Sequence, residues 1–512
     1  MGYKEVDLKV PTAYNDEQLR QSIEKKLGIK QFSFQIISKS LDARNKRKIH
    51  WFLRIGVSSP YIKEGEDKTE KSLQIHYKKR NKKVIVTGSG PAGFFSAYAM
   101  QMAGFDVTLI ERGSELDKRT EGIKQFEKNG IFNPQGNYAF GEGGAGTFSD
   151  GKLTSRTKRI SKEKAFITSE YINAGAPEEI AYLAYPHLGT DNLKLIVKNL
   201  RDEFRKLGGT FLFETQLNDI KVLGETVKEA NTSSAILKGD YFLVAPGHSA
   251  YETYRLLMKR GVPFRTKNFA IGSRAEHKQV LINKAQWGTS RLAGVKAAEY
   301  RLTSPADGKH QVYSFCMCPG GMVVPSTAYA NSNIVNGMSY FSRNSPFANA
   351  ACVAGIHPDE LSGKKVSAEE ALGVLQGLEE SFYAFTNGYT APACTIRDFI
   401  DRKLQSTITE TSYPLGIVEA PLWDLLPDIV VKAMQAGLKD FSRKLKGYEE
   451  GILLGLESKT SSPIQVIRDE NGLTDGFSNL FIIGEGSGYA GGIMSSAADG
   501  LKVAMKIIEK ES

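Results

Sequence analysis

Hydrophobic and polar positions along this chain change period several times, and each change marks an element. Residues 83–87, 106–110, 241–245 and 480–483 are short apolar runs, which predict strands. Residues 94–103 are apolar and stop at Gly104, which predicts a helix between the first two runs. Residues 191–207 are amphipathic. They begin at Thr190 or Asp191, end at Gly208-Gly209, and lead into a strand at 210–214 placed for a third parallel strand. A last helix carries Ile493, Ala497, Leu501, Ala504 and Ile508 on one side. Before residue 83 the pattern reads strand (4–10), helix (capped within 15–18, ending at Gly28) and two strands (32–38 and 48–57), with a further helix and strand after them. In the fourth of these elements Ile49, Trp51, Leu53, Ile55 and Val57 alternate with His50, Phe52, Arg54 and Gly56. Between about 255 and 465 strands mix with helices near 368–383 and 427–445.

The turn after the first apolar run narrows the fold. Gly88-Ser89-Gly90-Pro91-Ala92-Gly93 is a Gly-x-Gly-x-x-Gly turn between strand and helix, the loop that cradles a dinucleotide pyrophosphate. Gly88 allows the turn, Gly90 leaves room for phosphate, and Gly93 lets the helix lie on the strand. The helix N-terminus offers free N–H groups to the anion. Glu111, followed by Arg112, closes the second strand 21 residues after Gly90, where a carboxylate is placed to accept the ribose hydroxyls. A second glycine-rich stretch runs from Phe140 to Leu153, with Gly143, Gly144, Ala145, Thr147, Phe148 and Ser149 as candidate cofactor contacts. Five glycines within 141–151 suit neither strand nor helix, and suit a backbone that a flat cofactor approaches closely. Leu217, the Ala245-Pro246-Gly247 turn, and the turn Gly484-Glu485 with Gly491, Gly492 and Ile493 complete the candidate cofactor set.

Charge separates the N-terminal segment from the rest. The chain has 512 residues and a net charge of +10; residues 1–83 contain 20 basic and 10 acidic residues, and the other 429 contain 47 of each. A small basic α+β domain at 1–80, ferredoxin-like in its element order, is therefore expected. It is followed by a nucleotide-binding domain at 81–255, a substrate domain at 256–468, and the return of the nucleotide-binding domain at 469–512. Basic residues with interleaved aromatics in the first domain leave RNA binding open, although no RNP-type motif is present. No run of 18 apolar residues exists and no apolar segment begins the chain, so neither a membrane span nor a signal peptide is expected. Four cysteines are too few for a disulfide framework and fit a reduced cytoplasmic compartment.

Three separated segments, Gly88–Glu111, the turn at Gly247 and 484–493, together resemble the two-dinucleotide-binding flavoprotein architecture of the glutathione reductase type. The resemblance implies an α/β fold: a Rossmann-like FAD/NAD(P)-binding domain with an inserted α+β substrate domain. The middle turn reads Ala-Pro-Gly where that superfamily usually has Ala-Thr-Gly, and Glu485 replaces the usual Asp. The stretch 142–153, Ser314–Gly321 with its Cys316-Met317-Cys318, Thr460–Pro463 and 484–494 are similar to signatures of the bacterial FAD-dependent dehydrogenase/oxidoreductase family. That resemblance spans nearly the whole chain and implies FAD as the cofactor.

A flavin supplies electron chemistry that the protein orients and tunes. The helix starting at Gly492 is expected to face the flavin pyrimidine with its positive end, favouring hydride acceptance without a basic side chain. Neither a second Gly-x-Gly-x-x-Gly between 250 and 465 nor a Cys-x4-Cys pair is present, so a disulfide reductase is disfavoured and NAD(P)H would bind only transiently. Cys316-Met317-Cys318 is expected to be structural rather than redox-active, no metal site is expected, and Pro319-Gly320-Gly321 is expected to turn towards the flavin. Lys152, Arg274 and His277 are the catalytic candidates, with Arg156, His187, Asp191 and Glu276 also near the expected substrate: an arginine would clamp a carboxylate and a histidine move a proton. The alternative is a surface ion-pair cluster of Arg274, Glu276 and Lys278. The expected activity is hydride transfer to or from a small molecule; an RNA-modifying flavoenzyme and a protein with purely structural FAD are the competing readings.

Overall fold

The computed structural model of the chain describes residues 2–63, 65 and 72–512. The N-terminal unit is a three-stranded antiparallel sheet in the order Gly2–Val10, His50–Ser59, Ser33–Asp42. The helix Asp16–Leu27 packs Leu19 and Ile23 against Val6, Leu8, Leu53, Ile55 and Val57. The helix is fixed at both ends: Asn15 and Gln18 form a reciprocal capping box, and Gly28 leaves in the left-handed region at φ 70°. This is the first half of a ferredoxin-like fold. The further helix and strand expected after it fall partly outside the described residues, and residues 72–82 form neither. The strand Lys83–Thr87, which follows the basic run, belongs to the next sheet, as its glycine turn led one to expect.

That sheet has five parallel strands in the order Leu480–Ile482, Tyr241–Val244, Lys83–Thr87, Asp106–Ile110, Thr210–Leu212. Its strands are apolar throughout because both faces are covered. On one face lie the helices Pro91–Met102 and Ile493–Lys510, so close that a Cβ on Gly500 would stand 2.1 Å from the Ala92 carbonyl oxygen. On the other lies an antiparallel meander, Leu217–Leu223, Thr226–Thr232 and Ile236–Lys238, whose Leu217, Ile220 and Val227 pack on Ile85, Ile110, Phe242 and Val244. Segments far apart in the chain, 83–110 and 480–510, thus share one α/β layer of Rossmann-like topology.

Between them the chain builds a second, mostly antiparallel sheet. Its central strands are Val312–Pro325, Phe347–Ile356, Phe269–Lys278, Ile452–Glu457 and Ala391–Thr395. The helix Asp428–Lys444 covers it with Val430, Val431, Met434, Leu438 and Phe441. Gly437 is the point of closest approach: a Cβ there would meet Val312 at 2.6 Å. No helix among the described residues is long and apolar enough to cross a membrane.

Candidate functional site

The carboxyl ends of four parallel strands open on one cavity of about 960 Å³, lined there by Thr87, Glu111, Ala245 and Ile483. Ligands of open α/β sheets bind at that edge. The Gly88–Gly93 turn forms its floor, and its glycines divide the work. Gly88 has φ 92°, and a Cβ on it would lie 2.2 Å from the Ala245 oxygen. A Cβ on Gly93 would lie 1.9 Å from the Gly88 oxygen, so Gly93 fixes the helix against the strand. Gly90 differs: its backbone is ordinary (φ −64°) and its missing side chain leaves open space, with Gly144 Cα the nearest atom at 3.8 Å. The helix beginning at Pro91 has no side-chain cap, and neither has the helix beginning at Ile493. Both start on the cavity wall with free N–H groups and a positive dipole end.

Glu111 is buried and accepts four hydrogen bonds. One carboxylate oxygen takes the Ser89 N–H (2.9 Å) and hydroxyl (2.7 Å), the other the N–H groups of Gly113 (2.9 Å) and Gly141 (3.1 Å). It therefore ties both glycine loops to the end of the second strand, a task that the spacing argument did not foresee, and a ribose hydroxyl would share its lone pairs. Glu111→Ala leaves these buried donors without an acceptor at about 1–3 kcal/mol each. We expect a drop of several kcal/mol in urea-unfolding free energy together with weakened FAD binding, whereas loss of ribose contacts alone would spare stability.

The second glycine loop rests on the first, since a Cβ on Gly144 would stand 2.9 Å from Gly90 Cα. Arg119 holds it. Fully buried, its guanidinium donates to the carbonyls of Asn137 (2.9 Å), Tyr138 (3.0 Å), Gly141 (3.3 Å), Glu142 (2.7 Å) and Gly144 (2.9 Å). Burial lowers its pKa to about 10, so it stays charged at neutral pH. The sequence offered no sign of this role, because Arg119 sits beside Asp117 and Lys118 in a helix rich in charge.

The opposite wall of the cavity comes from the inserted sheet and neighbouring loops: Lys152, Arg156, Tyr185, Arg301, Tyr313, Cys316, Asn336 and Glu457 all line it. Arg301 lies over the Tyr185 ring at 4.3 Å. Lys152 Nζ sits 2.8 Å from Asp150 and donates to the Met317 carbonyl; burial opposes its charge, but the Asp150 carboxylate prevails and raises its pKa. Two buried polar atoms on the wall, His248 Nε2 and Thr460 Oγ1, have no hydrogen-bond partner, while His248 Nδ1 lies 3.1 Å from Glu485.

Two family descriptions match the chain. One reads "FAD-dependent protein, C-terminal domain-like" and matches residues 268–460; the other is a domain of unknown function matching residues 3–58. An uncharacterized protein of Clostridium beijerinckii is 38% identical over 499 residues, covering 93% of this chain and 92% of its own. The chain belongs to a family of FAD-dependent proteins. Among solved structures, this family member is similar to L-proline dehydrogenase from P. horikoshii (12% identity, 85% of this chain, 95% of that one, TM-score 0.36). It is also similar to L-amino acid deaminase from Proteus vulgaris (9% identity, 87% and 96%, TM-score 0.37).

FAD is the cofactor of this family member, and the cavity suits it. It offers two uncapped helix N-termini to phosphate, open space above Gly90, and unpaired donors and acceptors at His248 and Thr460 for hydroxyl or ring atoms. Of the sequence-derived cofactor residues, Gly88, Ser89, Gly90, Pro91, Ala92, Glu111, Arg112, Gly144, Ala145, Ser149, Leu217, Ala245, Gly247, Glu485, Gly491, Gly492 and Ile493 line the cavity. Gly93, Gly143, Thr147, Phe148 and Gly484 do not. Gly143 and Thr147 face a separate void of about 30 Å³. Phe148 packs with Leu116 and Tyr138, and a Cβ on Gly484 would meet Ala92 Cβ at 2.4 Å. These residues support the loops from behind. Arg112 lines the wall, but its charge is taken by Glu252 and its plane lies 3.9 Å from the Phe140 ring centre.

The catalytic candidates separate likewise. Lys152 and Arg156 are on the cavity; Arg274 and His277 are not. Their positions differ by three in one strand, so they point to opposite faces of the sheet and cannot converge on one ligand. Arg274 is wholly buried against Glu457 (2.8 Å), Asn349 (2.9 Å), Asn336 (3.1 Å) and the Cys316 carbonyl (2.8 Å). No surface cluster forms either: Lys278 pairs with Glu410, and Glu276 accepts from Thr411 and Ser412. His187 lies 3.2 Å from the Phe341 carbonyl, and Asp191 accepts from the Phe341 N–H. Pro319, Gly320 and Gly321 are off the cavity wall and form no turn: they lie within the strand Val312–Pro325, where a Cβ on Gly320 would stand 1.9 Å from the Arg343 oxygen in the loop before Phe347. Cys316 and Met317 take the place foreseen for the turn.

His277 Nε2 donates to the Tyr448 carbonyl (2.8 Å), its Nδ1 has no partner among the described residues, and burial lowers its pKa to about 4. In the unfolded chain it protonates near pH 6.5. Between pH 6.5 and about 4 the unfolded state therefore binds a proton that the folded state refuses, and stability falls with pH by about 1.4 kcal/mol per unit from this residue. His277→Leu should flatten the urea-unfolding free energy across that window relative to the parent; parallel profiles would contradict it.

Proposed function

We propose that the protein is an FAD-dependent oxidoreductase that exchanges a hydride between the flavin and a small anionic molecule held in the same cavity. The observation that carries this reading is the division of one cavity between two walls. One wall has the glycine turns and the two helix N-termini, and would hold the pyrophosphate, ribityl chain and ring of FAD. The other has Lys152, Arg156 and Arg301 with Tyr185 and Tyr313, a cationic and aromatic surface able to clamp a carboxylate beside an apolar body. When bound, FAD supplies two-electron chemistry. The chain supplies position: Gly492 and the helix after it would direct a positive dipole end at charge arising on the reduced ring, and Lys152, held charged by Asp150, would orient the substrate.

Anaerobic titration of the yellow protein with NADH, NADPH and a panel of carboxylic metabolites tests this. Bleaching of the flavin bands by at least one carboxylate, lost on replacing Arg301 with methionine, supports the reading. A fully loaded flavin that no donor in the panel reduces contradicts it.

A further inference from the structure

The N-terminal unit is built into the rest of the molecule. Its Leu41, Ala43 and Ile49 pack on the core of the inserted sheet, Lys46 Nζ donates to the Ala285 carbonyl (2.7 Å), and a Cβ on Gly294 would stand 2.0 Å from the Thr12 oxygen. The open edge of its sheet is used as well. Ser33–Asp42 is an edge strand, and at Lys39 its backbone groups face outward: the Lys39 N–H donates to the Tyr182 carbonyl (2.8 Å), and the Ala184 N–H donates to the Lys39 carbonyl (2.9 Å). Leu183 thereby pairs with Lys39 in parallel, as one more step of the sheet. The residues that follow, Ala184 and Tyr185, line the cavity.

Tyr185 belongs to a run of contacts around the cavity mouth. Arg301 lies over its ring at 4.3 Å. Next to Arg301, the Leu302 carbonyl accepts from the Ser314 N–H (2.8 Å) and the Leu302 N–H donates to the Ser314 hydroxyl (2.8 Å). These bonds set the segment of Arg301 beside Tyr313 and Phe315, whose rings meet edge to face at 6.5 Å. Tyr185 is 51% exposed and Phe315 40%, and no carboxylate among the described residues pairs with Arg301. The rim thus offers flat apolar faces together with an uncommitted cation.

We propose that the N-terminal unit is a working part of the substrate cavity: its edge strand holds Tyr185 at the mouth, where Tyr185 selects substrates that carry an aromatic ring beside their carboxylate. This rests on reading the cavity as the flavin and substrate site, and narrows the substrate class to aromatic carboxylates. The ring stacks on Tyr185, and the carboxylate is taken by the cations of the same wall. Tyr185 is the specificity-determining residue. Lys39 is a positioning residue that acts through its backbone.

Flavin absorbance of the full-length yellow protein, titrated with benzoate and with acetate, tests this. Both probes carry a carboxylate, and only benzoate carries a ring. Tyr185→Ala removes an exposed side chain and should leave folding and flavin content unchanged. Lys39→Pro removes the bond to Tyr182 but none within its own sheet, because that N–H points outward, and an edge strand tolerates proline at such a position. Lys39→Met keeps both backbone bonds. The benzoate dissociation constant should rise about tenfold in Tyr185→Ala and in Lys39→Pro and stay at the parental value in Lys39→Met. The acetate constant should be the same in all these proteins. Hydrogen exchange of the unaltered protein reads the link without a variant: the Ala184 amide should be protected like those of the sheet, and exchange at an open-loop rate overturns the positioning role. Benzoate that binds no more tightly than acetate, or a benzoate constant that ignores Tyr185→Ala or Lys39→Pro, or that Lys39→Met raises equally, overturns the inference and leaves the reading of the cavity intact. A fully loaded flavin whose bands neither carboxylate shifts overturns that reading, and the inference falls with it.

Discussion

Arg119→Met yields a colourless and much less stable protein. The arginine is the common donor to five backbone carbonyls between Asn137 and Gly144, and methionine, though it fills much of the same space, satisfies none of them. Each buried carbonyl left without a donor costs about 1–3 kcal/mol, so even partial relaxation leaves a loss of about 3–5 kcal/mol. The loop bearing Gly144 and Ala145 then no longer lies on the Gly90 turn, and FAD loses one side of its site. Arg119→Lys should rescue little, since an ammonium has three donors on one atom and cannot span carbonyls that the planar guanidinium reaches from three nitrogens. Urea unfolding and flavin content per protein measure both effects; a yellow Arg119→Met protein of parental stability would show that the loop holds itself.

Asp150→Ala has a comparable effect by a different route. The wholly buried Asp150 carboxylate accepts from Arg343 (2.7 and 3.1 Å), from Lys152 (2.8 Å) and from the Ser339 hydroxyl, joining the glycine loop to the inserted sheet. Burial works against its charge, but Lys152 and Arg343 hold it well below the usual carboxylate range, so its contribution is complete above about pH 4 and is lost only in stronger acid. Replacing it with alanine leaves buried Arg343 with only the more distant Glu299 carboxylate (3.8 Å) and part-buried Lys152 without its carboxylate, at about 3–5 kcal/mol. It also frees Lys152 on the cavity wall, so the variant should bind FAD poorly even under conditions where it is folded. A fall in urea-unfolding free energy below about 1 kcal/mol would mean that solvent reaches Arg343 and Lys152.

The parts of the site that could be read from the sequence are local. The Gly88–Gly93 turn, the strand–glycine–acid turn at 484–485 and the helix opening at Gly492 each specify their backbone within a dozen residues, so their placement on the cavity followed from spacing alone. What was missed depends on distant chain. Arg119 looks like one charge among several until residues 137–144 fold over it. Arg274 and His277 looked like a substrate clamp because they are close in sequence, although strand alternation already sends them to opposite faces. Cys316 reaches the cavity wall on a strand that slips register against Phe347–Ile356 on both sides of Cys318, which no local pattern announces. The N-terminal unit was legible as strand–helix–strand–strand, and the strand at 83–87 was placed in the nucleotide-binding sheet from its glycine turn, but the helix and strand expected between them are not formed by residues 72–82.

The flavin content of Gly90→Val tests the central claim most directly. The backbone at residue 90 is one that valine adopts readily, and the space beside it is open, so the variant should fold with an unfolding free energy close to that of the parent. The added methyl groups would occupy the place reserved for the pyrophosphate. A stable, colourless protein that cannot be reconstituted with FAD is the predicted result; a stable protein carrying one FAD per chain would contradict the account.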